Sequence, residues 1–108
     1  MVEIVINELF TSKFGECLDY ALDVFGHKTK KSWQEEYNAI LRNLASNPEM
    51  YGIVHELGEC PLYRGATIKK NFKIIFHYDE NLNVVFIYDI WDMRQDPGKL
   101  IRLKRYYG

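Results

Sequence analysis

Two apolar runs in the last third of the chain, Phe72–Tyr78 and Val84–Trp91, constrain the fold more than any other feature. Each is rich in Val, Ile, Phe and Tyr and has the length of one strand, and the polar stretch Asp79–Asn83 between them supplies turn residues. That pattern predicts a β-hairpin. The second run is apolar at nearly every position, which implies a central strand covered on both faces. Leu62–Ile68 adds a preceding strand, joined to the hairpin through the tight link Lys69-Lys70-Asn71.

The first half has a different period. Val2–Ile6 alternates and is β-branched, so it reads as a short strand. Asn7 can cap the helix that follows. In that helix Phe10, Phe14, Cys17, Leu18, Ala21, Leu22 and Phe25 recur at three- and four-residue steps, forming one apolar stripe. Gly15 weakens it locally, and Gly26 is a natural stop. A second helix carries Trp33, Tyr37, Ile40, Leu41 and Leu44. Thr29 or Ser32 is its expected cap, Ser32–Glu35 fits a capping box, and Asn47-Pro48 ends it. The short link makes the two helices an antiparallel hairpin. Met50–Pro61 is the least regular part, with Ile53–Leu57 a brief candidate strand. The tail from Gly98 to Tyr107 is basic and reads as starting in a short helix. Together these elements imply a single α+β domain over residues 1–108. An N-terminal strand and an antiparallel helical hairpin pack on a three- to four-stranded antiparallel sheet.

Composition narrows the function classes. The chain has 108 residues, 47% of them hydrophobic and 15% aromatic, enough for a real core without disulfide or metal staples. A formal net charge of −1 gives no global attraction to nucleic acid or to an anionic membrane, so any such binding needs a local basic patch. No apolar run approaches a membrane span. The start MVEIVINELF lacks a basic n-region, which favours a cytoplasmic protein with reduced thiols at Cys17 and Cys60. No metal-ligand spacing links His27, His55, His77, Cys17 and Cys60, no phosphate-binding glycine loop is present, and no cofactor is implied.

Four segments carry a resemblance: Tyr63-Arg64, then Asn71-Phe72-Lys73-Ile74-Ile75-Phe76, then Val85-Phe86-Ile87-Tyr88-Asp89-Ile90, then Arg94-Gln95-Asp96-Pro97. In order and spacing they resemble the RelE/ParE toxin superfamily of bacterial toxin–antitoxin modules, in which an Arg precedes the penultimate strand and another lies near the end of an apolar last strand. The resemblance spans most of the chain in architecture and about a third in motif. It implies a growth-inhibiting toxin neutralised by a cognate antitoxin in a hetero-oligomer. The target would be the ribosome with its mRNA in the RelE-like branch, or DNA gyrase in the ParE-like branch. The alternative is a non-toxic protein- or nucleic-acid-binding module on the same scaffold.

The RelE-like branch cleaves RNA by attack of a 2′-hydroxyl, which needs a base, an acid for the leaving oxygen and cations around the phosphate. By the family pattern Arg64 would contact phosphate and Arg94 would stabilise the transition state. Lys69 or Lys70 would serve as base if neighbours depressed its pKa, and His77 as acid or base if its strand turns it to the groove. Each also has an ordinary reading: Arg64 as a sheet-edge ion pair, the two lysines as solvated turn residues, His77 as a packed strand residue, and Arg94 as a partner of Asp96. Two departures favour the ParE-like branch. Lys99, Leu100 and Ile101 stand where RelE-like enzymes often carry an aromatic, and the net charge is mildly acidic.

Overall fold

A computed structural model describes residues 2–58 and 61–94. The elements are β1 (Glu3–Ile6), α1 (Glu8–Phe25), α2 (His27–Ser46), single 3-10 turns at Pro48–Met50 and His55–Leu57, β2 (Arg64–Ile68), β3 (Phe72–Asp79) and β4 (Val84–Asp92). The basic tail read from the sequence lies outside the described residues.

Asn7 caps α1 as its residue type suggests, its Oδ1 accepting from the Leu9 N–H at 2.6 Å. Gly26 ends α1 and also opens α2, with a φ of +93° that favours glycine. The second helix therefore begins at His27, ahead of the expected Thr29 or Ser32 cap, and has no side-chain cap. Ser32 lies inside it.

The sheet order is β1-β4-β3-β2. β2–β3 and β3–β4 are antiparallel, but β1 runs parallel to β4, with Val5 opposite Phe86. The expectation of a purely antiparallel sheet is thus corrected to a mixed one. The cause lies between the strands. The two helices and the connection from 47 to 63 return the chain to the end of the sheet where β1 began. Two hairpin reversals then leave β4 pointing the same way as β1. The candidate strand Ile53–Leu57 is also corrected: Ile53 makes one bridge to Arg64, and His55–Leu57 turns as a 3-10 helix.

Both helices cover one face of the sheet. Phe10, Phe14, Trp33, Ile40 and Leu44 pack on Ile68, Ile74, Phe76, Val85, Ile87 and Ile90. Each large side chain so buried contributes roughly 1.5–3 kcal/mol. On the other face Val54, Leu57 and Tyr63 cover Ile75 and Trp91. β4 contributes to both clusters, as its nearly unbroken apolar run implies. A bulge interrupts its register: Phe76 pairs with Ile87 but Ile75 pairs with Asp89, so Tyr88 is an extra residue. The bulge resets the alternation, and Ile87 and Ile90 face the helices although they are three apart.

Candidate functional sites

The residues singled out from the sequence fall into two groups at opposite ends of β2. Arg64 opens β2 and His77 stands near the end of β3. Lys69 and Lys70 form the β2–β3 turn, and Arg94 follows β4. The five-residue strand β2 runs from Arg64 up to the residue before Lys69, placing the two about 16 Å apart at ~3.3 Å per residue. Arg64 and His77 therefore cannot meet Lys69 and Arg94 on one scissile bond.

At the first end, Arg64 Nη1 donates to the carbonyls of Tyr51 (2.7 Å) and Glu49 (3.3 Å), and Nη2 lies 4.0 Å from the Glu49 carboxylate. The guanidinium pins the Pro48–Met50 turn against the sheet. His77 projects from the face opposite the helices: Ile74 and Phe76 join the helix-side cluster and Ile75 the other. Its Nδ1 is 2.8 Å from the Leu62 carbonyl. A carbonyl only accepts, so Nδ1 is the donor in this hydrogen bond. Arg64 and His77 line one cavity of about 400 Å³ with Glu49, Asp79 and Glu80.

At the second end, Lys69 Nζ contacts Ser32 Oγ (2.7 Å) and Glu36 Oε2 (3.1 Å), while its N–H donates to Glu36 Oε1 (3.1 Å). The turn is thereby fastened to α2. Lys70 is exposed. Both lysines hold left-handed backbone, φ +51° and +65°, a conformation that usually selects Gly or Asn. Arg94 grips Asp92 through Nε (3.0 Å) and Nη2 (2.9 Å), and its guanidinium lies 5.8 Å from the Phe72 ring centroid. The side-chain hydrogen bond holds the Asp92 carboxyl below its ordinary range and raises the Arg94 guanidinium. Asp92 thus takes the role expected of Asp96, which lies outside the described residues. Lys69 and Arg94 flank a second cavity of about 330 Å³, walled by Tyr20, Phe25, Trp33 and Phe72.

Sequence reasoning missed two features. Asp89, inside the apolar run Val84–Trp91, is fully buried and forms a 2.6 Å ion pair with Lys13 of α1. A lone carboxylate in an apolar run was the available signal, because a buried charge requires a partner. Phe25, assigned to the core stripe, is 63% exposed, as is Tyr20. Cys17 is half-buried, and burial pushes its thiol pKa up. Among the described residues no cluster of His, Cys, Asp and Glu could hold a metal ion, and no helix is long and apolar enough to cross a membrane.

No protein-family model matches the chain, and no curated protein matches it.

Proposed function

We propose that the chain is the toxin of a RelE/ParE-like toxin–antitoxin pair and that it acts as a binding inhibitor, in the manner of the ParE-like branch, on DNA gyrase. The observation that carries the choice of branch is the state of the basic residues. Arg64 is committed to backbone carbonyls, Lys69 to Glu36 and Ser32, and Arg94 to Asp92, while the groups at the two ends of β2 stand too far apart for one reaction. Cations already neutralised by neighbouring acids are poorly placed to stabilise a crowded phosphate. They suit a protein surface whose charges set specificity and steering.

The toxin reading itself is supported by the order of its motifs along one sheet. Tyr63-Arg64 opens β2, the Asn71–Phe76 segment enters β3, Val85–Ile90 lies in β4, and Arg94 follows immediately, with the helical pair on one face.

A second reading has its own observation. One cavity is lined by both the His77 imidazole and the Arg64 guanidinium, the minimal pair for a RelE-like ribonuclease. Two assays on the purified protein separate these. Gyrase supercoiling blocked while translated mRNA stays intact supports the inhibitor. New mRNA 5′ ends that form only on translating ribosomes, with gyrase unaffected, replace it with the nuclease. Activity in neither assay refutes both and leaves the non-toxic binding module.

A further inference from the structure

We infer that β1 is a dimerisation edge. Two copies of the chain join their β1 strands antiparallel across a two-fold axis at Val5, making one continuous sheet from two four-stranded ones.

The outer side of β1 is open. The strand borders β4 on one side only. The Glu3 N–H donates to the Asn83 carbonyl at 3.2 Å and the Asn7 N–H to the Ile87 carbonyl at 2.9 Å, so the odd-numbered residues direct their backbone groups to β4. Strand alternation turns the N–H and C=O of Ile4 and Ile6 outward, and among the described residues neither has a backbone partner. Val5 and Ile6 are 42% and 43% exposed at this edge. An apolar edge strand with bare donors and acceptors is a template for pairing with another strand.

The opposite edge of the sheet is obstructed. The Gly65 N–H donates to the Gly52 carbonyl at 3.0 Å, the Val54 N–H donates to the Tyr63 carbonyl at 2.8 Å, and Ile53 bridges Arg64. The connection from 47 to 63 thus covers the start of β2. A β1-to-β2 contact, which would repeat from copy to copy without closing, is blocked there. A contact of β1 with β1 is isologous and closes at two copies.

The residues of β1 suit their own reversal. With the axis at Val5, Ile4 pairs with Ile6 of the second copy, and each such pair exchanges both N–H···O bonds. Glu3 then stands opposite Asn7, so the carboxylate meets an amide and not its own copy. The Asn7 Oδ1 is occupied by the Leu9 N–H at 2.6 Å, which leaves the amide N–H groups as donors to that carboxylate. An axis at Ile4 would set the Glu3 carboxylate against apolar Val5. An axis at Ile6 would set Ile4 against Glu8, which is already in α1.

Sedimentation equilibrium of the purified full chain tests the dimer, and cysteine cross-linking tests its register. The expected mass is twice the 12.8 kDa of one chain, falling on dilution. Ile6→Pro deletes an outward N–H without touching the β4 ladder and raises the dissociation constant about tenfold or more. Val5→Lys sets like charges opposite each other on the axis and also weakens the dimer; it carries the test should Ile6→Pro lose the wild-type circular dichroism. In a Cys17→Ser/Cys60→Ser background, Val5→Cys treated with diamide as oxidant gives a disulfide-linked dimer, because facing residues of a non-hydrogen-bonded pair lie about 4.5 Å apart at Cα. Ile6→Cys, equally exposed, does not cross-link, since Ile6 faces Ile4 and not itself. A chain that stays monomeric up to about 1 mM, a dimer indifferent to both Ile6→Pro and Val5→Lys, or Ile6→Cys cross-linking as readily as Val5→Cys overturns the inference.

Discussion

Replacing Lys13 by Met should destabilise the fold far more than replacing its partner Asp89 by Asn. Asp89 is 0% exposed while the Lys13 side chain is 34% exposed, and their charged atoms meet at 2.6 Å. Lys13→Met removes the countercharge and leaves a carboxylate in the core. Breaking a buried pair in this way costs about 3–5 kcal/mol, and the partial exposure of Lys13 places the expected loss near the lower end, about 3 kcal/mol. For a domain of this size that is roughly 12 °C in Tm, taking about 4 °C per kcal/mol. Asp89→Asn retains an oxygen for the Ile90 N–H, which Asp89 Oδ1 now accepts at 2.7 Å. It also frees an ammonium that can reach water, so its loss is about 1–2 kcal/mol. The double variant should lose less than the sum of the two, because no unpaired buried charge remains. Urea unfolding followed by tryptophan fluorescence suits the test, since Trp33 and Trp91 report the clusters on opposite faces of the sheet. A Lys13→Met protein within 1 kcal/mol of wild type, or strictly additive single changes, would refute the reasoning.

Three further outcomes follow from the site geometry. Lys70→Gly should raise Tm: relieving a left-handed lysine gains about 1–2 kcal/mol, and the extra freedom of glycine in the unfolded chain takes back about 0.5–1. Calorimetry showing a lower Tm would contradict it. Arg64→Ala should cost about 2 kcal/mol through the hydrogen bonds to the Tyr51 and Glu49 carbonyls, with amide exchange accelerated first around the Pro48–Met50 turn. Unchanged exchange there would remove Arg64 from its clamping role. The Asp92–Arg94 pair should stabilise the fold above the unfolded carboxylate value of 3.8 and lose that contribution as pH falls through the lower folded value, because the carboxyl is held down by its hydrogen bond. The stability gap between wild type and Arg94→Gln should therefore close on acidification, and a widening gap would show the sign to be wrong.

Much of the fold was legible because burial imposes periodicity. The stripes through Phe10 and Phe14 and through Trp33, Ile40 and Leu44 mark the faces that meet the sheet, and β3 and β4 coincide with their apolar runs. What escaped was non-local. Strand direction is a property of the whole path, so the parallel pairing of β1 with β4 left no mark in Val2–Ile6. Gly26 could equally end one helix or join two, and only its backbone angles decide. The stripe of α1 continues through Phe25, but burial stops at Ala21, leaving Tyr20 and Phe25 open beside the cavity. The candidate cations were visible as residue types. Their acid partners were not, because Glu36 and Glu49 come from distant segments and Asp92 lies just past Trp91, where the apolar run ends.

Tightly controlled induction of the chain in growing bacteria, without any neighbouring antitoxin gene, tests the central claim most directly. Growth should stop soon after induction with DNA supercoiling reduced and mRNA intact, and it should resume when a cognate antitoxin is supplied. Undisturbed growth at full expression of the folded protein would contradict the toxin reading.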